Sequence, residues 1–287
     1  EQTFGRSDAL PLLAQMKTGH FEPGTSYSYC NGNFRMLSEL IEAETGQSME
    51  ALYSEVIWGP AGMKTAVLNS DTRHPTDEVV IAPLSDGGPG FVGGLHAVLG
   101  GELITAIVTG PLGEKTPAQF LLKESEAWIE SAQACGLHLV ELEKRDPRFT
   151  STYGVGELIA EAIERGAKTI TVGLGGSGTN DAGAGMLSAL GATADGDLSS
   201  GGAALKALSK VDLSAALEKV SGIELIVASD VDNPLLGLRG ATAVFGPQKG
   251  ADDFAVMELE GALENFSALC GRRSDGKDPA VALGAGA

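Results

Sequence analysis

Three short apolar runs in this chain are each followed by a cluster that contains serine and aspartate, with glycine in the first two clusters, and this repeated pattern limits the possible fold most strongly. The runs cover residues 79–82, 169–172 and 223–228. The clusters that follow them cover residues 85–88, 173–181 and 229–234, respectively. Short apolar runs bounded by turn residues are typical of buried strands. Their alternation with helical patterns predicts an α/β fold with a largely parallel sheet.

The region between the first two clusters predicts further elements of the same domain. Residues 102–108 and 118–122 can pair across the turn region 110–117. Apolar residues from Val155 to Ile163 recur at helical spacing, and Gly166 ends that pattern. We therefore expect a strand pair and an amphipathic helix here.

The first part of the chain has a different pattern. Apolar residues recur at helical spacing over residues 33–45, and a second apolar stretch covers 49–58. Residues 69–77 are polar, contain proline and show no periodicity, which is typical of a linker. We therefore predict two parts: residues 1–72, a mainly helical fragment, and residues 73–287, the α/β domain.

The charge balance excludes some classes of partner. With 38 acidic and 20 basic residues, the formal net charge is −18, which argues against binding along a nucleic-acid backbone or an anionic membrane. No stretch approaches the ~20 apolar residues of a membrane span. The three cysteines lack metal-binding spacing, so we expect reduced thiols in a cytoplasmic protein. An anionic substrate must then be held by local amides, a few cations or a metal.

The glycine and aspartate clusters suit one chemistry in particular. In an open α/β sheet, ligands bind beyond the carboxyl ends of the strands, where these clusters are predicted to lie. Glycines let backbone amides approach a ligand, and a helix beginning after Asp181 would add positive charge suited to phosphate. Carboxylates together with phosphate oxygens are what Mg²⁺ prefers. The pattern therefore favours phosphoryl transfer.

Each cluster also has a plainer interpretation. Aspartate beside glycine is common in turns and helix caps, and Lys249 could be an ordinary solvated lysine of a loop. Gly173, Gly175 and Gly178 match the dinucleotide pattern G-x-G-x-x-G, but no acidic residue follows at a strand end about 20 residues later. The chain contains no G-x-x-x-x-G-K-[ST] motif, which excludes a Walker-type nucleotide enzyme.

Five motifs taken together resemble the bacterial glycerate kinase family over about residues 73–287. In chain order they are residues 84–88, 152–158, 173–181, 229–237 and 246–251. The resemblance implies a two-lobed α/β enzyme that uses ATP and Mg²⁺ to phosphorylate D-glycerate, in many members to the 2-phospho form. Its expected partners are these small molecules, without nucleic acid or membrane.

We assign roles to individual residues as hypotheses that go beyond the motif match. Asp181 and Asp86 are the candidate catalytic carboxylates, with Asp181 as base or hydroxyl-orienting group. Asp230 and Asp232 are the candidate metal ligands. The candidate substrate- and phosphate-binding residues are Gly175, Gly176, Ser177, Thr179, Asn180 and Lys249. We expect the four aspartates to converge on one cleft.

Two departures from the family pattern affect the expected sheet and site. The family opens with a strand and a loop similar to Ala-Pro-Asp-Ser-Phe-Lys-Gly, and nothing of this kind precedes Val79. We therefore expect a gap or an open edge in the sheet. The family also continues through a Gly-Ala-rich loop, and this sequence stops partway into one at Ala287.

Within residues 1–72, the segments 21–25, 29–31 and 60–63 are similar to the middle of another family, the β-lactamase-like serine hydrolases and especially D-aminopeptidases. Tyr29 and Asn31 would be the Y-x-N pair of that family. The only S-x-x-K match, Ser274 to Lys277, lies far later in the chain, so this fragment lacks a plausible nucleophile motif.

Three hypotheses therefore remain open at this stage. The first is a glycerate-kinase-like phosphotransferase, and the second is a serine hydrolase or D-aminopeptidase fragment. The third is an inactive chimera, which should expose apolar surface at the open edge of its sheet.

Overall fold

The computed structural model of the chain describes residues 31–60, 62, 85–273 and 276–287. The chain divides into two compact units, Glu1–Val80 and Ile81–Ala287. The predictions made for Tyr29, for the linker at 69–77 and for the strand at 79–82 lie outside the described residues.

The first unit is helical where it is described, as the sequence predicts. Helix α1 covers Asn31–Thr45 and α2 covers Met49–Tyr53, and a π-helical turn continues over Ser54–Trp58. Ser48 begins α2 because its side chain accepts a hydrogen bond from the amide of Ala51 at 3.2 Å. The two predicted helical stretches are thus confirmed.

The second unit contains a five-stranded sheet and a small two-stranded one. The strands are β1 (Glu102–Thr109), β2 (Lys115–Lys123), β3 (Glu126–Glu130), β4 (Thr169–Gly173), β5 (Thr193–Ala194), β6 (Val211–Asp212) and β7 (Glu224–Ala228). The main sheet has the order β1-β2-β3-β4-β7, and β5 pairs with β6. β1, β2 and β3 pair antiparallel, whereas β3, β4 and β7 run parallel. The α/β class is confirmed.

Helices and short 3₁₀ turns connect these strands. The helices are α3 (Phe91–Leu99), α4 (Ala132–Cys135), α5 (Tyr153–Glu164), α6 (Ala184–Ala189), α7 (Ser214–Lys219), α8 (Ala241–Phe245) and α9 (Asp253–Cys270). The 3₁₀ turns are Leu137–Leu139, Leu142–Lys144, Gly202–Ala207, Pro247–Lys249 and Pro279–Val281. Among the helices in the described ranges, none is both long and apolar enough to cross a membrane.

Alternation along β2 explains how the sheet divides the core. Phe120 and Leu121 are both fully buried, but successive residues of a strand point to opposite faces. Phe120 belongs to the large cluster that contains Leu158 of α5, and Leu121 packs with Phe91 of α3. Burial of each such side chain contributes about 1.5–3 kcal/mol. Helices therefore cover both faces of the sheet.

β7 forms one edge of the main sheet within the described part of the chain. Val227 pairs in register with Val172 of β4, yet Val227 is 61% exposed and Val172 only 6%. Leu225 and Ile226 are 43% and 42% exposed. The described sheet therefore has apolar surface at its edge.

Candidate functional site

The glycine-rich loops predicted from the sequence meet at the carboxyl ends of β4 and β7. Leu174, just after β4, donates its amide to the carbonyl of Ala228 at the end of β7, at 2.8 Å. Gly87 lies against the same carbonyl, since a Cβ added there would stand 2.6 Å from the Ala228 oxygen. Its φ of +91° also favours glycine. The first two predicted clusters therefore meet at the carboxyl end of β7, directly before the third cluster begins.

The loop after β4 is also bonded to the segment that follows β3. Ser131 donates its amide to the carbonyl of Gly173 at 3.1 Å, and Leu137 donates to the carbonyl of Gly176 at 2.8 Å. The amide of Gly178 returns a bond to the carbonyl of Cys135 at 2.8 Å. These bonds hold residues 173–178 in a fixed position.

Asp181 lies in the interior and accepts four hydrogen bonds. Its Oδ2 accepts from the amide of Thr152 at 2.9 Å, from the Thr152 hydroxyl at 2.8 Å and from the amide of Gly185 at 3.2 Å. Its Oδ1 accepts from the amide of Gly183 at 3.2 Å. Burial raises the pKa of Asp181, and these bonds act in the opposite direction. Asp181 thus ties the start of α5 to the start of α6.

The first amides of α6 are accordingly engaged within the protein. Gly183 and Gly185 donate to the Asp181 carboxylate, and Ala184 donates to its carbonyl at 2.9 Å. Met186 donates to the hydroxyl of Thr152 at 3.0 Å. The backbone amides at the amino-terminal end of this short helix are therefore hydrogen-bonded to Asp181 and Thr152.

Lys249 is buried, contrary to the interpretation of it as a solvated loop lysine. Its ammonium donates to the hydroxyl of Ser177 at 3.0 Å and to the carbonyl of Thr179 at 2.6 Å. Burial lowers the pKa of Lys249 from 10.5 to about 8, although the nearby Cys135 and Asp181 act to raise it. Lys249 thus places a cation beside the predicted phosphate-binding loop.

A cavity of about 580 Å³ opens at this position. The predicted site residues that line it are Gly175, Ser177, Thr179, Asn180, Asp181 and Lys249. Leu217 of α7 and Leu225, Ile226 and Val227 of β7 contribute apolar surface to the same lining. The cavity therefore combines buried polar groups and a cation with an apolar wall.

The remaining predicted residues lie elsewhere on the loops. Asp86, Asp230 and Asp232 are exposed and are not among the residues that line this cavity. Asp86 Oδ1 accepts a bond from the amide of Gly88 at 2.9 Å, which closes a local turn. Gly176 binds the segment after β3 through its carbonyl.

The carboxylates of Asp230 and Asp232 are available to a metal. Neither side chain makes a hydrogen bond or an ion pair with the residues that the structure describes. In the same residues, no group of three acidic, histidine or cysteine side chains could hold a metal by itself. Mg²⁺ is usually held by one or two carboxylates together with substrate phosphates, and exposed aspartates in a loop fit that donor set.

Ser131 was not predicted and is the unexpected member of the site. It directly follows β3, is 3% exposed and lines the cavity. Its hydroxyl has no hydrogen-bond partner among the described residues. A prediction of β3 would have placed a serine at a strand end, which is the signal that could have identified it.

Comparison with known proteins shows that the beginning of the chain is similar to a different family from the rest. Residues 5–106 match the Beta-lactamase family model. A D-aminopeptidase of Cereibacter sphaeroides is 70% identical over 79 residues, which cover 28% of this chain and 15% of that protein.

The larger part of the chain matches another family. The model of the Glycerate kinase family matches residues 61–287. The glycerate kinase of Halalkalibacterium halodurans is 42% identical over 79% of this chain and 59% of that protein. The glycerate 2-kinase of Escherichia coli is 44% identical over 67% of this chain and 52% of that protein.

A solved structure supports the same relationship. It is described as glycerate kinase 2 from Salmonella typhimurium LT2, with 40% identity, a TM-score of 0.66, and coverage of 72% of this chain and 56% of that one. The chain thus spans between half and three fifths of the length of these relatives. The family model covers most of the chain, and the five sequence motifs lie within the matched residues. The chain therefore belongs to the glycerate kinase family.

Proposed function

We propose that this chain transfers a phosphoryl group from ATP to D-glycerate, giving 2-phosphoglycerate, with Mg²⁺ as the cofactor. The observation that carries the proposal is the buried ammonium of Lys249 in a cavity lined by the loop after β4. Membership of the glycerate kinase family and the named activities of its relatives support it.

Lys249 supplies positive charge where the anionic reactants meet. The charge is largely buried, and an interaction with an anion is stronger there than at the surface. Two of its protons are used by Ser177 and Thr179, which leaves a third for a ligand. An ammonium held in this way is positioned before the substrate arrives.

The loop after β4 supplies the uncharged donors. The amides of Gly175, Gly176 and Ser177 donate to no other backbone group in the described residues. Because two of these residues are glycines, phosphate oxygens can approach the backbone closely. We assign these amides to the transferred phosphoryl group.

The aspartates divide between positioning and ligand binding. Asp181 already accepts four bonds, so we assign it to positioning the loop and the starts of α5 and α6. Asp86 is the proposed carboxylate that orients the glycerate hydroxyl from beside the cavity, because it is hydrogen-bonded to Gly88, which lies against Gly175 of the cavity lining. Asp230 and Asp232 would hold Mg²⁺, which neutralises phosphate charge during such transfers.

The direct test is release of ADP from ATP and Mg²⁺ in the presence and absence of D-glycerate. We expect turnover that requires glycerate, and phosphorus NMR of the product should show a phosphate on the 2-hydroxyl. The outcome against the proposal is ATP hydrolysis that does not respond to glycerate, together with no rise in melting temperature when glycerate and Mg-ATP are added.

We place this reaction in the cytoplasm, with D-glycerate and ATP as its small-molecule partners and without nucleic acid or membrane. ATP is available there, and the reducing conditions suit Cys135 and Cys270, which are free thiols.

A second candidate function is hydrolysis of D-amino acid amides by the first unit. Its support is the 70% identity with a D-aminopeptidase over 79 residues. A fluorophosphonate probe should label a serine if this function is present, and unlabelled protein would remove the candidate.

A further inference from the structure

Ser131 differs from the other polar side chains of the cavity lining in its hydrogen bonding. The Thr152 hydroxyl donates to Asp181 and accepts from Met186. Asn180 donates to the hydroxyl of Thr242 at 3.0 Å, and Lys249 holds Ser177. The Ser131 hydroxyl has no such partner although it is buried.

A buried hydroxyl without a partner is costly, so its presence calls for an explanation. Ser131 precedes α4, yet its side chain makes no cap bond to that helix. The thiol of Cys135 is near enough to form a side-chain hydrogen bond with it, and sulfur is only a weak hydrogen-bond partner. The protein itself therefore gives this hydroxyl no strong bond.

The neighbours of Ser131 indicate what kind of ligand would supply that bond. Cys135 is close to both Ser131 and Thr179, and the carbonyl of Thr179 accepts a bond from Lys249. A hydroxyl and an ammonium thus belong to one group of side chains along the cavity. A small hydroxy acid carries a carboxylate and hydroxyls within a few bonds of each other, which suits such a pair.

We propose that the Ser131 hydroxyl is a substrate-binding group that hydrogen-bonds an oxygen of D-glycerate inside this cavity. The inference rests on the proposed function, because it takes glycerate as the ligand. Ser131 then contributes to the choice of substrate: a ligand without a suitably placed oxygen would leave the hydroxyl unpaired.

The test compares Ser131→Ala with Ser151→Ala by isothermal titration with D-glycerate and by thermal melting. Ser151 is a matched control because it is also a buried serine, but its hydroxyl accepts a bond from the amide of Tyr153 at 3.3 Å and it does not line the cavity. Ser131→Ala should weaken glycerate binding roughly 10- to 100-fold, as expected for loss of a hydrogen bond to a charged ligand. ATP affinity should change by less than about twofold.

Melting without ligand separates binding from a structural role. Ser131→Ala should melt at the same or a higher temperature, since it removes an unpaired buried hydroxyl, whereas Ser151→Ala should melt lower with unchanged glycerate affinity. Equal glycerate affinity in Ser131→Ala and the unaltered chain would overturn the inference and leave the proposed function intact. A fall in melting temperature as large as that of Ser151→Ala would also overturn it. If the unaltered chain binds no glycerate, both proposals fail.

Discussion

The β4 and β7 units begin alike in sequence and differ in how the protein uses them. Each is an apolar strand followed by a loop with aspartate, and the two strands are parallel neighbours. In the β4 unit, Val172 is buried and Asp181 accepts four bonds. In the β7 unit, Val227 and Asp230 are exposed. The loop composition alone therefore does not indicate whether a carboxylate serves the fold or a ligand.

The number of donors aimed at each carboxylate accounts for this difference. The glycines at 183 and 185 bring backbone amides to Asp181, and Thr152 adds two more donors. Asp230 has no such donors among the described residues. A carboxylate that is fully bonded inside is held in place, whereas an exposed one remains free for a cation.

The sharpest test of this comparison is to measure the stability of the Asp181→Ala variant and of the Asp230→Ala variant. We expect Asp181→Ala to lower the free energy of unfolding by about 3–5 kcal/mol, because buried donors lose their acceptor. Asp230→Ala should change it by less than about 0.5 kcal/mol. Urea denaturation measures both values. Similar losses in the two variants would show that the contrast between the units is wrong.

Lys249→Met should separate ligand binding from protein stability, because Lys249 is hydrogen-bonded to the loop of the β4 unit. Loss of the buried ammonium should weaken binding of ATP or glycerate about 100-fold, since a charged partner is removed. The free energy of unfolding at pH 7 should change by less than about 1 kcal/mol, because removal of a buried charge offsets the hydrogen bonds that Ser177 and Thr179 lose. Titration calorimetry and urea denaturation provide the measurements. A destabilised variant with normal affinity would assign Lys249 to the fold.

The lowered pKa of Lys249 also predicts a dependence on pH. Between pH 8 and 10.5 the unfolded chain keeps a proton that the folded chain has lost, so this residue makes stability rise with pH in that window. Binding of an anion to the ammonium should do the reverse and weaken about tenfold per pH unit above 8. Parallel pH profiles for the unaltered chain and Lys249→Met would contradict this assignment.

The smallest expected effect is a difference in stability between substitutions at paired positions of β4 and β7. Val172→Thr places a hydroxyl in the core and should cost about 1–3 kcal/mol. Val227→Thr, at the paired position of β7, should cost less than about 0.5 kcal/mol, because that side chain is largely exposed. Thermal melts of both variants test this. Equal shifts would mean that the edge strand is covered in solution.

Much of the fold could be predicted because it depends on local patterns. The strands β1, β2, β4 and β7 and the helix α5 follow from apolar periodicity and from glycine punctuation. β3 and α9 were not predicted. β3 has only five residues, with glutamate at both ends, and α9 begins in an acidic segment. Their positions are fixed by packing against other elements, which periodicity does not reveal.

The sequence predicts where the candidate site lies, but it does not predict the role of each residue in it. The motifs identified the loop after β4 and Lys249, because glycine and cation patterns are visible in the sequence. The interior position of Asp181 was not visible, since it depends on donors from Thr152, which lies 29 residues earlier. Ser131 was missed for a similar reason, because an unpaired hydroxyl can be recognised only after all its neighbours are known.

The buried position of Lys249 has a consequence for chemical labelling. With a pKa of about 8, roughly a tenth of these amines are neutral at pH 7, far more than for a surface lysine. A neutral amine is a nucleophile, and Lys249 lines the cavity of about 580 Å³. A compact acylating reagent that fits this cavity should therefore react with Lys249 at a pH where exposed lysines of the described residues are still almost fully protonated, which would give this chain a selective attachment point for covalent probes.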